Sequence, residues 1–208
     1  AERDADIARS HGADALFMPQ PETMYAQDHA TWVEVPELSR GLCGLTRPVH
    51  FRGVCTVVLK LFMLTGADVA VFGQKDWQQQ AVLRRMVRDL DVPVRIETRE
   101  TVREADGLAL SSRNVYLSPD ERAHAPEIRK ALLYAQKLAQ NGETSVKLLR
   151  EAVLRRWAEF LPMGRLDYLS IVHPESMAPL TEVTGPALMA CAVRMGKARL
   201  IDNILLRP

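Results

Sequence analysis

The sequence predicts an α/β protein whose parallel sheet is followed by a smaller α+β region. The apolar run Asp68–Phe72 has the length and composition of a strand, and an amphipathic helical pattern follows it from Trp77 to about Leu90. A second strand pattern covers Val92–Thr98. This strand–helix–strand alternation is typical of a parallel sheet with crossover helices. After about residue 100, helices are followed by closely spaced strands, so we expect two domains, residues 1–100 and residues 101–208.

The remaining elements follow from hydrophobic spacing and from start and stop signals. Upstream of the sheet, the expected elements are a helix over residues 1–11 ending at Gly12, strands over Ala13–Met18 and Thr31–Val35, a loop over Arg40–Arg52, and a buried helix over Val54–Leu64. In the C-terminal half they are one long helix from a Ser118–Glu121 capping box to near Asn141, a helix from about Ser145 to Phe160, and strands over Leu166–Val172, Ala187–Arg194 and Ala198–Leu205. Met195-Gly196-Lys197 is expected to be a hairpin turn.

Composition narrows the function classes. The 208 residues are 47% hydrophobic and 25% charged, with a net charge of +1. This balance gives no electrostatic argument for binding nucleic acid or a membrane surface. Three cysteines, an odd number with no Cys-x-x-Cys, favour a reducing cytoplasm. The five histidines show no metal-ligand spacing, so no metal is assigned to side chains.

The first candidate site is Gly73-Gln74-Lys75-Asp76, at the junction of the first predicted strand with its helix. Free backbone N–H groups at a helix start and a lysine ammonium can face one anion together. The alternative is an ordinary helix start, since Asp76 and Gln79 also form an Asp-x-x-Gln signal. The glycine pattern matches neither the Walker nor the dinucleotide fingerprint. Gln79 lies one turn beyond Asp76, where its amide could reach a ligand carboxylate or hydroxyl.

The second candidate site is the polar segment Leu110-Ser111-Ser112-Arg113-Asn114. Its two hydroxyls and its guanidinium suit phosphate oxygens. The alternative is a surface loop with a solvated arginine. Together the two segments predict a nucleotide whose phosphates are held by Lys75 and Arg113.

Four strings of the sequence resemble the pantoate–β-alanine ligase family. They are Phe72–Gln79, His50–Val54, Asp106–Leu117 and Ala198–Asn203, and the resemblance is collinear over essentially the whole chain. It implies a Rossmann-like nucleotide domain, incomplete at its N-terminus, followed by an α+β lid. It also implies formation of pantothenate in two steps, in which pantoate is adenylated by ATP and the amine of β-alanine then displaces AMP.

The resemblance also assigns residues. Lys75 would lie against the phosphates, while Ser111, Ser112 and Arg113 would hold the leaving pyrophosphate, and these four residues form the implied catalytic set. Gln79 would bind pantoate. The implied ATP contacts comprise these four residues together with Gln74 and Leu110. They also include Gly73 and Asp76 at the ribose and the Val102 backbone at adenine. Mg²⁺ accompanies the ATP, and the protein is expected to be a homodimer.

One departure from the family concerns the N-terminus. The family also has a first Rossmann-type strand, a His-x-Gly-His helix start, an upstream glutamine for pantoate and an acidic stretch near magnesium, and the printed sequence contains none of them. The chain opens on Ala1, and its first helix has no start signal. We therefore expect this chain alone to be inactive and poorly soluble. Two alternatives stay open: a catalytically incomplete fragment that binds ATP weakly or not at all, and a nucleotidyltransferase with a different acceptor.

Overall fold

The computed structural model describes residues 2–207, and the chain falls into two compact units, residues 1–32 and residues 33–208. The first unit contains helix α1 (Glu2–Ser10) and helix α2 (Pro21–Met24). Helix α1 ends as predicted, because Gly12 takes the left-handed conformation with φ of 80°. The strand predicted over Ala13–Met18 is wrong, since that segment has no ladder partner within residues 2–207.

The second unit opens with three helices: α3 (Pro36–Ser39), α4 (Cys43–Thr46) and α5 (His50–Thr65). The strand predicted over Thr31–Val35 does not form, and the backbone N–H of Val33 donates instead to the Thr56 hydroxyl at 3.1 Å. The predicted loop before residue 52 is also partly helical. The predicted helix is confirmed and begins earlier, at His50. It is only partly buried, since Phe51, Cys55, Thr56 and Phe62 are buried whereas Leu64 is 60% exposed. Gly66, with φ of 60°, ends it.

The predicted parallel unit is confirmed. Strand β1 (Val69–Gly73) pairs in parallel with strand β2 (Arg95–Arg99), and helix α6 (Trp77–Asp89) makes the crossover between them. One face of α6 buries three apolar side chains, and these belong to a core shared with α5. The side chains of α6 in this core are Val82, Leu83 and Met86.

The C-terminal helices are α7 (Pro119–His124), α8 (Glu127–Gln140) and α9 (Val146–Phe160). The predicted capping box is confirmed: the Glu121 N–H donates to the Ser118 hydroxyl at 3.2 Å, and the Ser118 N–H donates to the Glu121 carboxylate at 2.8 Å. The single long helix expected from Ser118 to Asn141 is wrong, because it is interrupted at Pro126. Proline has no N–H to donate, and its ring crowds the preceding turn.

An antiparallel sheet completes the chain, with strands β3 (Arg165–Val172), β4 (Ala187–Met195) and β5 (Ala198–Leu206) in that order. The predicted hairpin is confirmed as a two-residue turn in which Gly196 has φ of 51°. Along β4, Met189 and Cys191 face the core formed with the C-terminal helices, whereas Leu188 and Ala190 face the core of α5 and α6. Since strand side chains alternate between faces, this sheet separates the two cores.

The division of domains near residue 100 stays a prediction. Within residues 2–207, no helix has the length and apolarity needed to cross a membrane. All three cysteines are free thiols.

Candidate active site

A cleft of about 240 Å³ lies where the β1–α6 junction meets the antiparallel sheet. It is bordered by four parts of the second unit: the segment from Leu42 to Phe51, the start of α6, the loop after Leu110, and the sheet. The lining residues are Leu42, Cys43, Arg47, His50, Phe51, Lys75, Asp76, Trp77, Gln78, Gln79, Ser111, Arg113, Tyr168, Leu188, Ala190, Arg199, Ile201, Asp202 and Asn203.

The turn that carries Lys75 is held in place from β5. Residues Gln74–Asp76 form one turn of 3₁₀-helix directly after β1. The buried amide of Asn203 donates to the carbonyl oxygens of both Gln74 and Lys75, each at 3.0 Å. A buried polar side chain with two acceptors fixes the backbone because breaking either bond would leave a buried group unpaired. The direction in which Lys75 leaves the strand is therefore set by a residue far away in the sequence.

Lys75 connects this turn to the second candidate segment. Its Nζ donates to the carbonyl oxygen of Leu110 at 3.0 Å. Burial lowers the pKa of Lys75, while the nearby carboxylates of Asp76 and Asp202 act in the opposite direction. The lysine is thus partly desolvated and bound to one neutral acceptor, and an incoming anion could replace that acceptor.

The loop of Ser111 and Arg113 is bonded mainly to itself and to backbone. The Arg113 N–H donates to the Ser111 hydroxyl at 3.2 Å, and Arg113 Nη1 donates to the carbonyl oxygen of Arg199, also at 3.2 Å. Behind the loop, Asn114 Nδ2 donates to Glu104 at 2.9 Å and to the Ala109 carbonyl at 3.2 Å. The base of the loop is therefore anchored, while the side chains of Ser111 and Arg113 face the cleft.

Asp76 and the two glutamines after it have different roles. The carboxylate of Asp76 does not cap α6, and its side chain has no hydrogen-bond partner within residues 2–207, so the helix-cap alternative fails for this side chain. Gln78 is buried and fully used: it accepts from the Cys43 N–H at 3.0 Å and donates to the carbonyls of Leu38 and Gly41. Gln79 is half-buried and borders the cleft, with no hydrogen bond to the described chain.

The structure brings together five of the predicted site residues at the cleft: Lys75, Asp76, Gln79, Ser111 and Arg113. The other five do not line it: Gly73, Gln74, Val102, Leu110 and Ser112. Val102 is 66% exposed, and its carbonyl oxygen accepts the Leu110 N–H at 2.9 Å. Two of these five serve as backbone acceptors next to the cleft, Gln74 for Asn203 and Leu110 for Lys75.

Sequence reasoning gave no role to the cleft residues of the antiparallel sheet. Asp202 is 4% exposed and receives two bonds from Arg103, at 2.8 and 2.9 Å. Arg199 is paired with Asp167 through bonds of 2.7 and 2.8 Å. A signal was available, because Asp202-Asn203 lies between the apolar runs Leu200-Ile201 and Ile204–Leu206, and a buried polar pair in such a strand needs specific partners.

A sulfur–phenol pair lies next to Arg199 in the cleft. Cys43 Sγ and Tyr168 Oη are 3.4 Å apart, and the guanidinium of Arg199 lies 3.6 Å from the same sulfur. Burial raises the pKa of Tyr168, and Cys43 adds to this effect, so the phenol stays protonated.

This arrangement defines a class of protein: an α/β protein whose cleft lies beyond the carboxyl end of a parallel strand, where such sheets bind ligands. A lysine and an arginine from two separate segments border that cleft. A family model described as Pantoate-beta-alanine ligase matches residues 1–205. The pantothenate synthetase of Desulfovibrio desulfuricans is 81% identical over 206 residues, which cover 99% of this chain and 73% of that protein. That of Nitratidesulfovibrio vulgaris strain Miyazaki F is 58% identical over 205 residues, which cover 99% of this chain and 72% of that protein.

Solved structures show the same likeness. The pantothenate synthetase of Thermus thermophilus superposes with a TM-score of 0.94 at 46% identity, covering 100% of this chain and 75% of that chain. The pantoate–β-alanine ligase of Francisella tularensis, complexed with beta-gamma ATP and β-alanine, gives a TM-score of 0.74 at 28% identity, covering 98% of this chain and 69% of that chain. The chain belongs to the pantoate–β-alanine ligase family. The predicted α/β fold and the predicted ATP-dependent ligation of pantoate to β-alanine are thereby confirmed.

Proposed function

We propose that the chain joins pantoate to β-alanine through a pantoyl adenylate, releasing pyrophosphate and AMP. The observation that carries the proposal is that Lys75, Arg113 and Gln79, which come from two separate segments, border one cleft. Family membership supplies the substrates. The beta-gamma ATP and β-alanine in the Francisella tularensis complex support ATP and β-alanine as ligands of this fold.

The first step makes the adenylate. A carboxylate oxygen of pantoate attacks the α-phosphorus of ATP, the bond from that phosphorus to the bridging oxygen breaks, and pyrophosphate leaves with its electron pair. The protein mainly positions the groups and neutralises charge in such a displacement. Lys75 would exchange the Leu110 carbonyl for phosphate oxygens, and Arg113 with Ser111 and Ser112 would hold the leaving pyrophosphate.

The second step consumes the adenylate. The free amine of β-alanine attacks the acyl carbon, the acyl–oxygen bond to AMP breaks, and the nitrogen loses a proton as the amide forms. Gln79 would orient pantoate in both steps, because its amide has no hydrogen bond to the described chain and borders the cleft. Its neighbour Gln78 is excluded from this role since all its polar atoms already have backbone partners.

The other implied nucleotide contacts are proposals of the same kind. Asp76 has a free carboxylate that can accept from ribose hydroxyls, and Gly73 lies shortly before it in the chain. Gln74, Leu110 and the Val102 backbone would complete the contacts with ATP. The Leu110 N–H donates to the Val102 carbonyl, so the segments that carry these two residues are hydrogen-bonded to each other.

Mg²⁺ is proposed to enter with the nucleotide. Among residues 2–207, no three His, Cys, Asp or Glu side chains come close enough together to hold a metal ion. Mg²⁺ needs no such cluster, because it commonly binds through substrate phosphates and water with only one or two carboxylates. When bound, the ion would neutralise phosphate charge. The homodimer and the cytoplasmic location remain proposals, which light scattering and cell fractionation would test.

The test is the stoichiometry of the reaction. The chain is incubated with ATP, pantoate and β-alanine, and AMP, ADP and pyrophosphate are measured, together with pantoate-dependent exchange of labelled pyrophosphate into ATP in the absence of β-alanine. Turnover by the proposed route gives AMP and pyrophosphate in equal amounts and exchange that requires pantoate, whereas the inactivity expected from the sequence for this chain alone gives neither. ADP as the product would contradict the adenylate route. A chain that neither turns over nor binds an ATP analogue would favour the catalytically incomplete alternative.

A further inference from the structure

The proposed reaction brings an anion to the cleft that none of the assigned residues neutralises. Pantoate and the phosphates of ATP are provided for by Gln79, Lys75 and Arg113. The carboxylate of β-alanine takes no part in the chemistry and stays charged throughout. A site that selects β-alanine over a plain amine therefore needs its own cation, and the structure allows the candidates to be compared.

The basic side chains that line the cleft are Arg47, His50, Lys75, Arg113 and Arg199. Two of them belong to the phosphate site proposed above. Arg199 is already committed, since it is 11% exposed and pairs with the buried carboxylate of Asp167 at 2.7 Å. A second carboxylate there would have to displace a buried ion pair, which is costly.

His50 does not supply the charge either. Burial lowers its pKa, the positive charge of Arg47 lowers it further, and Arg113 and Arg199 act in the same direction, while Asp76 opposes them. These effects favour the neutral imidazole, which can donate a hydrogen bond but does not balance a carboxylate. The same interactions place His50 among Arg47, Asp76, Arg113 and Arg199.

Arg47 is the remaining cation, and it has no ion pair or side-chain hydrogen bond within residues 2–207. It is exposed at the connection between α4 and α5, and its backbone is fixed on both sides. Its N–H donates to the Cys43 carbonyl at 3.0 Å, and its carbonyl accepts the His50 N–H at 3.1 Å. The next residue, Pro48, further restricts the backbone of Arg47. A guanidinium on a fixed backbone is suited to two-point binding of a carboxylate.

We propose that Arg47 binds the carboxylate of β-alanine and thereby selects the amine substrate, an inference that rests on the function proposed above. Arg47 is carried by the α4–α5 connection, whereas Lys75 and Gln79 belong to the β1–α6 junction. The amine substrate would thus be held from a different wall of the cleft than ATP and pantoate. If Arg47 instead bound the phosphates of ATP or bound pantoate, its replacement would also lower pantoate-dependent pyrophosphate exchange.

The experiment compares Arg47→Gln and Arg47→Lys with Arg40→Gln in the 208-residue chain. Arg40 is a matched control because it is also exposed and near in sequence but does not line the cleft. Three quantities are measured: kcat/KM for β-alanine, kcat/KM for propylamine as a probe without the carboxylate, and pantoate-dependent pyrophosphate exchange. Calorimetric binding of β-alanine in the presence of a non-hydrolysable ATP analogue gives a readout that does not depend on turnover.

For Arg47→Gln we expect kcat/KM for β-alanine to fall by about 10- to 100-fold, the range for a hydrogen bond to a charged group. The preference for β-alanine over propylamine should fall by the same factor, and pyrophosphate exchange should fall much less. Arg47→Lys should recover part of the loss, and Arg40→Gln should resemble the wild type.

Three results would overturn the assignment to β-alanine. One is an unchanged preference for β-alanine in Arg47→Gln. Another is pyrophosphate exchange that falls as far as the overall reaction, which would move Arg47 to ATP or pantoate. If the wild-type chain shows no exchange, the function proposed above fails, and the role of Arg47 is then decided by calorimetry alone. Binding of β-alanine by the wild type that is lost in Arg47→Gln supports that role. Equal binding by both proteins, or binding by neither, refutes it.

Discussion

Two regions that border the cleft differ in how their polar groups are bonded. On β5, the side chains of Asp202 and Asn203 are at most 9% exposed, and each makes two or more bonds to Arg103 or to the backbone of the lysine turn. In the loop after Leu110, Arg113 is exposed and Ser111 is half-buried, and both bond only to backbone groups. We call these the fixed side and the exchangeable side.

The difference separates residues that shape the site from residues that can bind ligand. A buried charge that loses its partner remains desolvated and uncompensated, so the fixed side holds its geometry firmly. A bond from an exposed arginine to a carbonyl oxygen has little net free energy, because water can replace it. In the proposed function, phosphate oxygens would therefore displace the carbonyl partner of Arg113 at little cost.

The strongest test breaks the fixed side. Arg103→Ala leaves the buried carboxylate of Asp202 without its two charged donors, so we expect a loss of about 3 kcal/mol in the free energy of unfolding. Urea denaturation followed by circular dichroism measures it. Arg122→Ala is the control, since Arg122 pairs with Glu104 and Asp106 in a more exposed setting and should cost clearly less. Equal losses in the two variants would contradict the distinction between the sides.

The bond between the lysine turn and the exchangeable side, from Lys75 to the Leu110 carbonyl, is tested by Lys75→Ala. We expect pantoate-dependent pyrophosphate exchange to fall by at least ~100-fold, the scale for losing one preorganised charge-stabilising donor. The midpoint of urea denaturation should change little, because within residues 2–207 the side chain makes a single hydrogen bond, to a carbonyl on a surface loop. Near-normal exchange in the variant would remove Lys75 from the phosphate site.

Gln78 and Gln79 allow a bonded polar side chain to be compared with one that borders the cleft, within one turn of α6. Gln79→Ala should raise KM for pantoate about 10-fold or more, as expected for lost hydrogen bonds to a charged ligand, with a much smaller effect on KM for ATP. Gln78→Ala should instead lower the free energy of unfolding, because the Cys43 N–H and the carbonyls of Leu38 and Gly41 lose their partner. Equal weakening for both substrates in Gln79→Ala would count against its pantoate role.

The smallest expected effect concerns His50. Burial and then the charge of Arg47 hold its pKa below the ordinary value, so Arg47→Gln should raise it, as NMR titration of the imidazole would show. Because the folded pKa lies below the unfolded one, the unfolded chain binds the proton first. Stability therefore falls as pH drops below the ordinary histidine value, and this fall should be smaller in Arg47→Gln. An unchanged titration would place Arg47 too far from His50 to matter.

Local patterns in the sequence determined a large part of the fold. The parallel unit β1–α6–β2, the Ser118 capping box and the Gly196 turn were all predictable, because periodicity, caps and left-handed glycines depend on residues close together in the chain. The same reasoning located Lys75 and Arg113, since a strand that ends before a helix and a polar segment between apolar ones are local signals too.

The tertiary structure alone decided which segments meet. The pattern over Ala13–Met18 has strand composition, yet a strand exists only where a neighbour completes its hydrogen bonds, and no local pattern names that neighbour. Arg47, Arg199 and Asn203 reach the cleft for the same reason, through the pairing of β4 with β5 and the packing of α5 against α6. Contacts between residues distant in the chain depend on the whole fold, so the residues that shape this site became visible only when the chain was folded.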